Sequence, residues 1–582
     1  MRKSDLTSWI SRAVLAGALL SLGACGGDDG SSTKGFNIFG ASDNIPALPV
    51  SSHPNTSDAG RFLTQATFGP TDQSIRNLTT TNYDDWITAQ FASPRVPHLA
   101  DIDARLVAKR AQDPNAYINE NDFYNGFWQQ AVTGDDQLRQ RVAFALSEIF
   151  VTSLANPNVD ARGTADYYDM LERDAFGNYR DLLQDVTLHP MMGIYLNALG
   201  NQKEDPDTGR HPDENYAREV MQLMSLGLYK LNPDGTKQLD LFGNPQATYS
   251  QDDIKGLAKV FTGWSWYSSQ PDDGTFYGWP RDDASSVTPM IAYNQFHSTS
   301  EKDFLGVTIP ASNTPDAKAD LKVALDTIFA NPNVGPFISK QLIQRLVTSN
   351  PTPGYVRRVS AIFDNNGSGV RGDMKAVVRA ILTDHEARDA SNLSNPGYGK
   401  LREPVVRAAH LMRAFKASSL TRNWLLDSTD DWLKQSPMTS PSVFNFWRPG
   451  YIPPNTTLGA NNLVGPEFQA VNEITVSNYV NGTQYALSGG LGEWVNNHGQ
   501  DIRIPLTDDA ANAGDINKVI DHMNLVLLNG QMSDELKAHL TTAMSSIDIT
   551  QGNADDQAEA RNNRARIAIL LTMASPEYIA QR

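Results

Sequence analysis

"DDQLRQRVAFALSEIF", residues 135–150, decides the fold class. Asp135 has the short acceptor side chain that caps helices. Leu138, Val142, Leu146, Ile149 and Phe150 then follow the i, i+4, i+8 spacing of one buried helical face. The strict alternation of a half-buried strand is missing. The same period recurs in "LKVALDTIFA" (321–330), "VGPFISKQLIQRLVT" (334–348), "DMKAVVRAILTDHEAR" (373–388), "LREPVVRAAHLMRAF" (401–415) and "ARIAILLTMAS" (565–575). In "SQDDIKGLAKVFTGW" (250–264), Ser250 and Asp253 have the spacing of a capping box. The expectation is a mainly α, multi-helical globular domain with long aromatic-rich loops and at most a short β-hairpin.

Two stretches break the helical pattern. Residues 261–296 hold nine aromatics in thirty-six positions, against 9% for the chain, and Pro and Gly interrupt them. They read as a long ordered loop packed over the domain, with Trp264, Trp266 and Trp279 as candidate ligand-stacking rings. Residues 419–465, with "PSVFNFWRPGYIPP", form a second loop.

The N-terminus carries an address. Arg2, Lys3 and Arg12 precede an apolar run, Ala13 to Ala24, too short to span a bilayer. Charged region, apolar region and small-residue ending make a secretory signal over 1–24. Leu22-Gly23-Ala24-Cys25 resembles a bacterial lipobox, so Cys25, the chain's single cysteine, is the expected lipidation site and lipid anchor. Residues 25–58 are rich in Gly, Ser, Asp and Asn and read as a tether. The domain then runs over 59–582, with a sub-domain division near 300–315. Gly26 after the cysteine favours the outer membrane or cell surface. The net charge is −17, and an acidic surface of this size repels nucleic acid, which is excluded as a partner.

Chemistry is harder to locate. There is no G-x-S-x-G elbow, no Walker A loop, no H-E-x-x-H, and no cysteine beyond Cys25 for a zinc site. "DNNGSGVRGDMK" (364–375) mimics a calcium loop, but Lys375 stands where a bidentate Glu is needed, so a turn leading into a helix at Asp373 is the better reading. No metal or cofactor is expected. In "RHPDENYAREVMQLMSLG" (210–227), Asn215, Arg218, Glu219 and Gln222 share one helical face while Tyr216, Val220, Leu223 and Met224 share the other. That face is either solvated, with Glu214–Arg218 as a surface pair, or a site. As a site, Glu219 is the catalytic carboxylate, oriented by Asn215 and Arg218, with His211 at the helix entrance. His297 (catalytic) and Lys302 (binding) directly follow the aromatic loop and are the second candidate group. Arg402 and Glu403 read as an ion pair at a helix entrance, Pro404 fitting the first turn.

"RFLTQATFGPT" (61–71), "HPMMGIYLNALGNQK" (189–203), "PDENYARE" (212–219), "FHSTSEKDFLG" (296–306), "GSGVRGDMKAVVRAIL" (367–382), "KLREPVVR" (400–407) and "SPSVFNFW" (440–447) occur in that order. As a set they resemble the bacterial family called domain of unknown function 1800. The resemblance implies a secreted or lipid-anchored, mostly helical protein, often encoded beside a sulfatase- or phosphatase-like secreted family, hence a partner of that kind. It carries over no catalytic residue. Asp213 departs from the Asn of the family's NENYARE box, and Met224 stands where many members carry Phe or His.

Two functions stay open. One is an envelope-anchored enzyme, or enzyme partner, acting on an extracellular polysaccharide, with aromatic rings to stack on sugar faces. It lacks the second carboxylate that glycosidase chemistry requires. The other is a non-catalytic lipoprotein that organises a secreted partner through its aromatic loops.

Overall fold

The computed structural model describes residues 53–278, 284–426, 429 and 433–582. The signal segment, Cys25, most of the tether and Trp279 lie outside the described residues. The architecture is mainly α, with 53% helix. Strands are confined to small antiparallel pairs and one three-stranded sheet. Among the described residues no helix is long and apolar enough to cross a membrane.

The first helix among the described residues, α1 (Thr56–Ala66), starts just before the expected boundary because Asn55 accepts the Asp58 N–H at 2.9 Å. Four helices then pack on one another: α2 (His98–Arg110), α3 (Glu120–Thr133), α4 (Gln137–Ser147) and α5 (Ala161–Asp174). Helix α4 is the stretch read first from the sequence, and it departs from the amphipathic expectation. Apart from Arg139 every residue of it is buried. Its polar side chains find partners inside: Gln140 donates to Glu172 at 2.9 Å, and Arg141 to the Arg345 carbonyl at 2.6 Å. An apolar stripe points a helix inward; it does not report that satisfied polar residues follow it there.

Helices α6 (Tyr179–Leu188) and α7 (Pro190–Tyr195) lead to α8 (Asn215–Gln222), which packs on α9 (Gln251–Val260). Ser250 and Asp253 close the expected capping box on α9. The aromatic segment is shorter in loop than expected: it holds β1 (Trp264–Ser265), a short helix and β2 (Ile291–Ala292), with β1 paired to β2. Phe261, Trp264, Phe276 and Tyr293 are buried, so this part of the aromatic run is core. The hairpin β3 (Lys302–Phe304) and β4 (Val307–Ile309) lies on α9.

Helices α10 (Ala317–Ala330), α11 (Val334–Leu346), α12 (Pro353–Asp364) and α13 (Met374–Thr383) follow. The last is capped by Asp373, as the turn reading of 364–375 required. β5 (Lys400–Leu401) precedes α14 (Pro404–Ala414), which packs on α3. The C-terminal part has β6 (Ser418–Ser419), α15 (Glu473–Gly489), the hairpin β7 (Leu491–Val495) and β8 (Gly499–Arg503), α16 (Ile516–Leu528) and α17 (Ala554–Ala574). The chain returns as β9 (Ala580–Gln581), paired with β5. One buried apolar cluster runs from Ala59 to Tyr578 and takes in residues on both sides of 300–315.

Candidate functional site

The candidate site is built where four stretches quoted above come together. After α7 the chain turns through Asn197 and Gly200, both at positive φ (58° and 72°). Asn197 tolerates that conformation through its short polar side chain, and Gly200 through the absence of Cβ. The turn is pinned from two sides. The Asn201 amide donates to the Asp213 carbonyl at 3.2 Å and its oxygen accepts the Asp213 N–H at 2.9 Å. Gly200 N–H donates to the Trp264 carbonyl and Gly263 N–H to the Asn201 carbonyl, both at 2.8 Å. Asp213 in turn accepts the Asn215 N–H at 2.8 Å and helps to start α8.

This scaffold walls a cleft of about 570 Å³. Amide side chains line one part of it: Asn158, Asn197, Asn201 and Gln202. Arg210, His211 and Asp213 add charge and hydrogen-bonding capacity, and Trp266 and Tyr277 add rings. Trp266 is buried in the wall, while Tyr277 at the rim is 60% exposed. Asn201 spends its amide on the Asp213 backbone. The other amides, one carboxylate and flat rings suit a neutral polyhydroxylated ligand, since an amide has both a donor and an acceptor and a ring covers an apolar sugar face.

Of the expected binding residues that the structure describes, His211 and Trp266 lie on this cleft, while Asn215, Arg218, Lys302 and Trp264 do not. Glu219 is not among the lining residues. It is buried, its Oε2 has no hydrogen-bond partner, and burial raises its pKa, opposed only in part by Arg218. Burial together with the Glu219 charge pushes the hydroxyls of Tyr195 and Tyr249 up to about 12, and Tyr195 follows Ile194 of the lining in the chain. Arg218 turns outward and pairs with Glu214 at 3.1 Å, its side chain 38% exposed. So the helical face divides: Arg218 takes the surface-pair role, Glu219 goes inside, and Asn215 is half-buried with its N–H on Asp213.

His297 and Lys302 do not reach the cleft. His297 is fully buried, Nδ1 at 2.7 Å from the Thr262 carbonyl and Nε2 at 3.0 Å from Asp320. Lys302 reaches the same Asp320 oxygen at 3.0 Å and donates to the Ser298 carbonyl. Burial would raise the Asp320 pKa, but hydrogen bonds from His297 and Lys302 hold it below the usual carboxylate value. This triad fastens the 297–304 segment to α10. Both ring nitrogens of His297 have partners inside the fold. Trp264 is packed in the core with its Nε1 unpartnered.

The Arg402–Glu403 pairing is corrected by the structure. Arg402 stacks over the Tyr578 ring at 4.5 Å and donates to His410 at 3.0 Å. Glu403 binds Lys400 at 2.8 Å. With Pro404 opening α14, neighbouring side chains diverge to opposite sides of the helix axis. Glu403 belongs to a buried cluster in which Lys400 also meets Glu467 at 3.0 Å, Arg141 meets Glu403 at 3.5 Å, and Arg345 meets Glu148 at 3.6 Å.

One buried group has the composition of a metal site: His98, Asp169 and Glu172, their ligand atoms within 4.8 Å of one another. Charge balance gives them another role. Burial opposes charging of His98, yet Glu172 and Asp169 carry it up to about 10, so it is a cation at neutral pH. With Arg95 beside Asp169 and Arg139 beside Asp136, three cations face three carboxylates. A divalent ion there would have to displace the imidazolium proton.

Sequence reasoning missed Asp213 as a site residue, along with the 197–202 amides. Asp213 was visible only as a departure from a motif, and the amides as part of a quoted stretch. Nothing in their spacing shows that a turn at Asn197 would carry them to Asp213.

The family model described as Protein of unknown function (DUF1800) matches residues 61–580. No curated protein and no solved structure matches the chain.

Proposed function

The chain belongs to that family, and from this premise we propose that it is an envelope-anchored lipoprotein that binds extracellular polysaccharide at the Asp213–Trp266 cleft and helps to process it. The observation that carries the reading is the lining: four amides, Asp213, and the rings of Trp266 and Tyr277 around one space. Asp213 supplies a carboxylate on the cleft itself. Glu219 is a further carboxyl off the lining, its pKa raised by burial. The address rests on the Cys25 lipobox.

The test is a glycan array followed by titration of the retained glycan. Tyr277→Ala is the clean variant, because the ring is largely exposed and its loss leaves the core intact. Losing one stacked ring, worth about 1 kcal/mol, should weaken binding roughly five-fold. Asp213→Asn keeps the Asn215 contact and should abolish turnover while leaving the melting temperature in place. A protein that retains no glycan but carries a stoichiometric secreted partner would overturn this reading in favour of the scaffold. For the address, Cys25→Ser should leave an uncleaved precursor that no longer partitions into detergent; unchanged partitioning would refute lipidation.

A further inference from the structure

Between α8 and α9 the chain leaves the helical body as a thin arm, residues 228–248. Its three segments bridge at Tyr229–Ala247, Leu231–Lys237 and Leu239–Pro245. The root is fixed: Asn333 accepts the Leu231 N–H at 2.8 Å and donates to the Leu226 and Tyr229 carbonyls. At the tip stand Leu241, 100% exposed, and Phe242, 89% exposed, the two most exposed large apolar residues among those described. Leu239 and Leu228, 54% and 52% exposed, extend the apolar character along the arm.

The tip is held rigidly without any help from the side chains it displays. The Phe242 and Asn244 N–H groups both donate to Asp240 Oδ1, at 2.8 and 2.9 Å. Gly243 N–H donates to the Asp240 carbonyl at 3.1 Å, and Asp240 N–H to the Asn244 carbonyl at 2.8 Å. Gly243 takes φ 82°, and a Cβ there would meet nothing, so the turn and not crowding selects glycine. The N–H groups of Asp240, Phe242, Gly243 and Asn244 are thus satisfied inside the turn, which lowers the cost of bringing the tip to an apolar surface. Leu241 and Phe242 contribute nothing to the fold, yet the turn holds them outward.

We propose that this tip inserts into the membrane leaflet that holds the Cys25 anchor, as a second, shallow contact that orients the cleft relative to the membrane. A bilayer accepts two side chains without a complementary pocket. The lysines and aspartates of the arm, Lys230, Lys237, Asp234 and Asp240, balance, and the whole chain carries −17, so the fitting surface is zwitterionic rather than anionic. Asp240, engaged by its turn, limits the depth to the two side chains. The proposal rests on anchoring at Cys25. The thirty residues from Cys25 to Pro54 can span at most ~100 Å, so the domain stays within reach of the membrane. An insertion too weak to hold a free protein is sufficient for an anchored one, whose effective concentration at the surface is high.

The test separates tip from anchor. In a Cys25→Ser background, which removes the single cysteine, Phe242→Cys is labelled with a polarity-sensitive dye. The protein is held by an N-terminal histidine tag to phosphatidylcholine vesicles containing nickel-chelating lipid. The expected result is a blue shift and loss of quenching by aqueous iodide at position 242, with neither at Val107→Cys, a control site 71% exposed on α2. An unshifted probe at 242, or equal shifts at both sites, overturns the proposal. A shift that needs no vesicles and grows with protein concentration also overturns it, assigning the tip to a second copy. A shift on tethered vesicles from a chain whose native Cys25 proves unlipidated keeps the insertion and refutes the anchor.

Discussion

Glu219 and His98 are both buried titratable groups, and they affect stability in different ways. Burial raises the Glu219 pKa, so the folded protein holds this proton more tightly than the unfolded chain does. Its contribution is therefore favourable at acid pH and declines as pH rises past the ordinary carboxylate range. Glu219→Gln should melt higher than the parent at pH 7, with the gap closing below pH ~4; a lower melting temperature at pH 7 would show that Glu219 has a partner in the fold. His98 is raised as well, to about 10, but here the proton makes a cation between Asp169 and Glu172. Its stabilisation is complete below pH ~6.5 and is lost as pH climbs towards 10. His98→Phe leaves two buried carboxylates without their cation and should cost about 3–5 kcal/mol at pH 7 by urea unfolding. The cost should shrink near pH 10. A loss of bound metal in that variant, in place of the pH dependence, would make the group a ligand set after all.

Among the elements, capping was legible at Ser250 and Asp373 but not at Asp135, since the helix Gln137–Ser147 has Asp136 at its N-cap position and no side-chain cap hydrogen bond. The Ser250–Asp253 box is present as spaced, but Asp253 does more than the motif implies: its other oxygen accepts the Leu305 N–H at 2.6 Å and ties α9 to the β3–β4 hairpin. Ser250→Ala should cost about 1 kcal/mol, as a lost cap does. Asp253→Ala should cost more, since the hairpin is released too. Equal losses in the two variants would show that the hairpin contact carries no stability. Helix α8 is legible as a helix, yet its period puts Arg218 and Glu219 on one face, either solvated or a site, and the structure separates them. The 228–248 arm carries turn residues in place of a helical period, and nothing in its sequence marks Leu241 and Phe242 as exposed.

At the scale of the whole molecule, the charged cluster of Arg141, Glu148, Arg345, Lys400, Glu403 and Glu467 joins α4, α11, the β5 strand and the 433–470 region. Gln435 and Asn445, from the second loop, bring amides to Glu148 and Glu403. Burial and the Glu403 charge raise Glu148 to about 8, whereas Lys400 and Arg141 overcome burial and lower Glu403 to about 2. Lys400→Met would leave Glu403 and Glu467 facing each other in a dry interior, so a loss of about 3–5 kcal/mol is expected. The Lys400→Met/Glu467→Gln double variant should recover part of it, since one stranded carboxylate has gone. Additive losses in the cycle would mean that the two residues act independently.

Local physics reaches a definite limit in this chain. The 3.6-residue period, the caps at Ser250 and Asp373 and Pro404 at a first helical turn depend on neighbours within four positions, so the sequence by itself determines a mainly α protein and these three helix starts. The order of the quoted stretches likewise determines the family. The cleft depends on Asn201 meeting Asp213 across twelve residues and on Gly200 meeting Trp264 across sixty-four, and the charged core on Glu148 meeting Asn445 across 297. Such pairings are chosen by which helices pack, and no periodicity encodes them. Tertiary structure alone decided that Glu219 is buried while Arg218 is wet, that His297 is a fastener, and that Asp213 faces the open space. The reason is common to all three: burial and partnership belong to the packed body, whereas spacing along the chain says only which way a side chain leaves its own helix.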